Sequence, residues 1–127
     1  MARTLALSVR ATVVLDSSGS GIAEIGPSSP GEIWFPSSTS ITCTGDIPQT
    51  GSPTVFIYAG NGISPAAFID STYNVTGASS SMIDGKAVHP GQLIIAVWTQ
   101  GPASQTATLA VNGTRQVPLW VPHLLIR

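Results

Sequence analysis

The sequence predicts an all-β fold: a single-domain antiparallel β-sandwich of Ig-like or jelly-roll-like type. Three observations predict it. No stretch of helical length carries apolar residues at the 3.6-residue period of an amphipathic helix. Short runs rich in β-branched and aromatic residues recur instead, roughly eight to ten of them, at about the spacing of a sandwich or barrel. Between these runs stand clusters of Gly, Pro, Ser and Asn, the residues that turn a chain.

The first run alternates from residue 5 to residue 15. Leu5, Leu7, Val9, Ala11, Val13 and Leu15 share one parity, and Ser8, Arg10, Thr12 and Asp16 fall on the other, the pattern of a long half-buried strand. Ser17-Ser18-Gly19-Ser20-Gly21 supplies turn chemistry, and Ile22 and Ile25 bracket a short strand, so the pair reads as a β-hairpin. Glu32-Ile33-Trp34-Phe35 forms a short apolar strand between Pro30-Gly31 and Pro36. Residues 38–44 alternate again around Ile41 and Cys43, and a polar loop follows over residues 45–53. Val55-Phe56-Ile57-Tyr58 is too short for a helix and rich in strand formers.

Asn61-Gly62 closes a turn, and Ser64-Pro65 opens a segment that reads either as a strand or as a single helical turn with Ser64 as N-cap. Residues 71–81 read as an exposed loop around a weak strand at Tyr73 to Val75, and Met82-Ile83 resumes apolar character. His89-Pro90-Gly91 launches a strand over residues 92–99, where Leu93 to Trp98 run apolar without alternation, as in a strand buried on both faces. Gly101-Pro102 then turns the chain into residues 105–111, making residues 92–111 a second expected hairpin. These elements place a sandwich domain at residues 1–115. A C-terminal extension, residues 116–127, holds Leu119, Trp120, Val121, Leu124, Leu125 and Ile126 but is broken by Pro118 and Pro122, so it cannot be an ordinary central strand. It docks either on its own sheet edge or on a neighbouring subunit.

Composition narrows the function. With 5 Lys+Arg against 6 Asp+Glu, and those five cations scattered, the chain lacks the basic patch that nucleic-acid binding requires. No apolar run approaches the roughly 20 residues of a membrane-spanning helix, and the N-terminus shows no secretion signal. Only 9 % of the residues are charged, far below the usual ~25 %, which suits a subunit packed against other subunits. Cys43 is the single cysteine, which leaves stability to packing and assigns the thiol to the core.

Catalytic and metal chemistry find little material. His89 and His123 are the two histidines, each beside a proline, and no nucleophile elbow is present. Cys43, His89 and His123 are too few and too dispersed for structural zinc, and Asp46, Asp70 and Asp84 read as turn formers before calcium ligands. Asn74-Val75-Thr76 and Asn112-Gly113-Thr114 match the glycosylation acceptor pattern by chance. Trp98 is assigned to the core. Trp34, Tyr58 and Tyr73 could stack on sugars if they shared a face. No cofactor, metal or enzymatic activity is expected.

Residues 11–21, continuing through Ile25-Gly26-Pro27 to Gly31-Glu32-Ile33-Trp34, resemble a family of small virion proteins of actinobacterial tailed bacteriophages. Ile57-Tyr58, Phe68-Ile69-Asp70 and the stretch from Pro90-Gly91-Gln92 through Ala96-Val97-Trp98-Thr99 to Gly113-Thr114 are similar to the second half of that family, so the resemblance covers about residues 11–115. The chain departs from the family pattern at residues 76–81, where an Asp often follows the Gly-rich turn, and in its apolar tail. The resemblance implies a β-sandwich module of a phage particle: a capsid decoration protein, or alternatively a minor tail or fibre protein. A carbohydrate-binding module contacting the host surface is the reading from a different class. The expected partners are the major capsid protein, other virion subunits and further copies of the chain, with a trimer as the expected homo-oligomer. The residues expected to meet them are Leu5, Leu7, Trp34, Leu119, Trp120, Val121, Leu124, Leu125 and Ile126.

Overall fold

A computed structural model describes residues 2–44, 54–72, 79–81 and 87–118. Among the described residues there are eight strands: β1 (Ala2–Val14), β2 (Gly21–Ile25), β3 (Ile33–Cys43), β4 (Thr54–Gly60), β5 (Phe68–Thr72), β6 (Ser79–Ser81), β7 (Leu93–Thr99) and β8 (Thr106–Pro118). They form two four-stranded antiparallel sheets, one in the order β1-β8-β3-β6 and the other in the order β2-β7-β4-β5. Successive strands alternate between sheets except at β4-β5, and this order is the double Greek key of a jelly roll. The expected all-β sandwich is therefore present, in the second of its two anticipated forms.

The alternation that predicted β1 also sets its register. Val9, Ala11 and Val13 oppose Val111, Leu109 and Ala107 of β8, so the apolar parity of both strands faces inward. Ile41 and Cys43 of β3 meet Leu109 and Ala107 from the other side. The second sheet contributes Val55 and Ile57 from β4 and Ile94, Ala96 and Trp98 from β7, all buried. Cys43 is buried among them as expected, its thiol donating to the Thr44 carbonyl at 3.4 Å.

Both expected hairpins are corrected. β1 and β2 lie in different sheets, as do β7 and β8, so each connection is an arch that crosses the sandwich. The two arches bond to each other: Leu15 N–H donates to the Gln105 carbonyl at 2.9 Å, Ser104 N–H to the Leu15 carbonyl at 3.0 Å, and Gly101 N–H to the Gly19 carbonyl at 2.9 Å. Asp16 Oδ1 accepts from Ser18 Oγ at 2.7 Å and from the backbone N–H groups of Ser18 and Ser20 at 2.9 and 3.0 Å, fixing the first arch. Gly19 sits at φ +78°, and a β-carbon there would overlap the Gly101 backbone.

The two strands expected on either side of Pro36 are one. β3 runs through the proline at a bulge between Pro36 and Ser38, where no ladder N–H is required. The bulge presses on β8 at Gly113, where a β-carbon would overlap the Phe35 carbonyl oxygen. The open segment after Ser64 is a single 3-10 turn, Pro65–Ala67, leading into β5, and Ser64 makes no side-chain cap. The weak strand at Tyr73 to Val75 lies outside the described residues.

Candidate interaction surface

The outer faces of the two sheets differ in chemistry. On the β1-β8-β3-β6 sheet, the outward rows read Thr12, Thr108, Thr42 and Arg10, Ala110, Ser40 across paired strands, a face mostly of hydroxyls and small side chains with single exposed apolar residues, Val14 and Phe35, towards its two ends. On the β2-β7-β4-β5 sheet, the outward rows read Ile22, Val97, Phe56 and Glu24, Ile95, Tyr58, Phe68. Apolar residues thus line both faces of this second sheet. Ile22 is 49 % exposed and Phe68 44 % exposed, while Ile95 is buried on this outer side and is separate from the interior cluster.

At the β4-β5 end of this face the rings gather. Phe68 packs edge-on to Tyr58, with ring centroids 5.7 Å apart, and tilts against Phe56 at 6.5 Å. With Ile63, 52 % exposed, and with Ser64 and Pro65 they line an open cleft of about 320 Å³ that, among the described residues, contains no charged side chain. A face of this composition on a chain so poor in charge is a candidate interaction site.

Sequence reasoning named different residues. Leu7 and Trp34 are 3 % and 4 % exposed and belong to the interior, and Leu5 is half-buried on the same inward parity. Leu7 and Trp34 are corrected to packing residues, because the alternation that identifies β1 also turns Leu7 inward, whereas Leu5 near the strand's start keeps part of its surface open to a partner. Leu119, Trp120, Val121, Leu124, Leu125 and Ile126 lie outside the described residues, as do Asp46 and Asp84. Tyr58 is outward-facing, but buried Trp34 does not join it, so the expected sugar-stacking set is not assembled. Phe56 and Phe68 were missed. The signal for Phe56 was available in Val55-Phe56-Ile57-Tyr58, where apolar residues occupy both parities.

Trp34 has a polar anchor instead of a partner. Its Nε1–H donates to Glu32 Oε2 at 3.0 Å, and Arg115 Nη1 donates to the same oxygen at 3.0 Å. Glu32 is 5 % exposed. Burial pushes its carboxyl up, but the hydrogen bonds from Trp34 and Arg115 and the Arg115 charge outweigh that and hold it below the ordinary glutamate value. Trp34 also exchanges two backbone hydrogen bonds of 2.9 Å with Val88. The cluster ties β3 to β8 near the end of β8, whose last residues 116–118, expected in the C-terminal extension, instead pair with β1 as part of this strand. Among the described residues no group of three His, Cys, Asp or Glu is placed to hold a metal ion, and no helix is long and apolar enough to cross a membrane. His89 is exposed in its turn, with its backbone N–H donating to Gln92 Oε1 at 2.9 Å.

No protein-family model and no curated protein matches the chain. Among solved structures, a chain of the acid-stable capsid structure of Helicobacter pylori bacteriophage KHP30 superposes with a TM-score of 0.60 at 11 % identity, covering 93 % of this chain and 94 % of that one. At that identity the likeness is one of fold, and the two coverages make the chains nearly equal in length.

Proposed function

We propose that the chain is a non-enzymatic structural protein of a bacteriophage virion, and specifically a capsid decoration protein that reinforces the shell through contacts with the major capsid protein and with its own copies. The observation that carries this reading is the superposition, over nearly the full length of both chains, on a chain from a phage capsid structure. The resemblance of residues 11–115 to virion proteins of actinobacterial phages points the same way. The low charge suits a crowded lattice, where neighbours must approach without mutual repulsion. The apolar outer face around Phe56, Tyr58 and Phe68 offers area to bury. β1 stands at a sheet edge over 13 residues and offers backbone groups for strand addition.

Copy number in purified particles, measured by quantitative mass spectrometry against the major capsid protein, tests the reading. A ratio near one or a simple fraction supports decoration. A handful of copies per particle moves the protein to the tail, and absence from the particle discards the virion role.

A further inference from the structure

We propose that the apolar outer face of the β2-β7-β4-β5 sheet, centred on the Phe56-Tyr58-Phe68 cleft, receives the C-terminal segment Leu119–Ile126 of a second copy of this chain. Face and segment match in chemistry. Among the described residues the cleft is aromatic and uncharged, lined by Phe56, Tyr58, Ile63, Ser64, Pro65 and Phe68. The segment is uncharged from Leu119 through Ile126 apart from His123, and carries Trp120 and four aliphatic residues of leucine or isoleucine size. Pro118 and Pro122 bias Val117 and Val121 towards extended backbone. Extended, proline-bearing segments dock in aromatic grooves with little loss of conformational freedom.

The layout of the fold favours a neighbouring copy over the same one. β8 ends at Pro118, held against the Gly31 turn, at the same end of the sandwich as the β4-β5 turn. β1 lies against β2 and β6 against β5, so the cleft at β5 is two strand positions across from β8 and on the far side of the opposite sheet. Two strand spacings of ~4.8 Å and an intersheet gap of ~10 Å make a path of about 15–20 Å. At ~3.4 Å per extended residue this uses about five or six residues. Leu119, Trp120 and Val121 would then lie over the turns at that end, where Ser28, Ser29, Pro30, His89, Pro90 and Gly91 are exposed and offer no apolar bed. A neighbour's cleft accepts the whole segment.

The proposal depends on the capsid reading only for the supply of neighbours, and it is tested on the purified full-length chain in the absence of particles. Light scattering across a concentration series should give an oligomeric mass for the wild type. A face variant, Phe68→Asp, and a tail variant, Trp120→Asp with Leu124→Asp, should each weaken self-association at least tenfold while keeping the β-sheet circular dichroism. Mixed in equal amounts, the two should form a one-to-one complex, because one retains an intact face and the other an intact tail. Should Phe68→Asp fail to fold, Ile63→Asp in the exposed turn replaces it. A monomeric wild type, variants that still self-associate, or a mixture that stays monomeric overturns the proposal. Self-association through this face in a chain absent from particles would refute the capsid reading and uphold this one; copies in lattice stoichiometry from a monomeric chain would do the reverse.

Discussion

Replacing Glu32 by alanine tests whether the buried anchor at the base of β8 holds the fold together. The substitution removes the acceptor of two hydrogen bonds at once. Trp34 is 4 % exposed, so its indole N–H would be stranded away from water, at a cost of about 1–3 kcal/mol. The Arg115 side chain is 40 % exposed and can rehydrate, so its lost ion pair adds only about 0–1 kcal/mol. The expected loss is about 2–3 kcal/mol, or roughly 6–10 °C in Tm for a domain of this size. Guanidinium unfolding followed by circular dichroism measures it. In a Trp34→Phe background there is no indole donor to strand, and Glu32→Ala should cost about 1–2 kcal/mol less than in the wild type. Equal costs in the two backgrounds, or a loss below about 0.5 kcal/mol in the wild type, would refute the anchor. The pH dependence has a definite sign. Glu32 titrates below its unfolded value, so its stabilisation is complete above the ordinary carboxylate range and disappears as pH falls through the depressed value. Glu32→Gln should flatten that part of the stability curve.

Three further positions probe the rest of the fold. Trp98→Ala empties the centre of the sandwich and should cost about 3–5 kcal/mol in chemical denaturation; Trp98→Phe should cost far less, since it also removes an indole N–H with no hydrogen-bond partner among the described residues. Gly19→Ala forces a side chain into left-handed backbone and against Gly101, and a loss of about 2–4 kcal/mol is expected by thermal melting. Cys43 should resist thiol reagents in the native state and react promptly in denaturant, because burial both shields the thiol and pushes its pKa up; fast native labelling would place it elsewhere.

Sequence legibility followed side-chain parity. Leu7, Val9, Ala11 and Val13 announced β1 and its buried side together, because period-two alternation is a statement about faces. The same residues show why the expected partner contacts failed at Leu7 and Trp34: large apolar side chains were read as sticky when their parity had already assigned them inward. Connections were less legible. The Ser17–Gly21 run marks a reversal of the chain, and turn chemistry alone does not distinguish a hairpin, whose strands pair, from an arch, whose strands face each other across the core. Pro36 misled because a proline at a bulge needs no ladder donor. The aromatic face was written in Phe56 and Tyr58, on the parity opposite to Val55 and Ile57, but required β4 to be known as a sheet strand with its outer side open.

The position of β8 has a consequence for the order in which the molecule can be built. β8 separates β1 from β3 and hydrogen-bonds to both, yet it is the latest of the described strands to be synthesised. Until it emerges from the ribosome, β1 and β3 have no shared partner, and half of the sandwich waits on a segment about one hundred residues downstream of β1. Closure of the first sheet is therefore a late event of the slow, non-local kind. Through that interval the apolar inner rows of β1 and β3 remain open to the wrong neighbours, with little net charge to keep those neighbours apart.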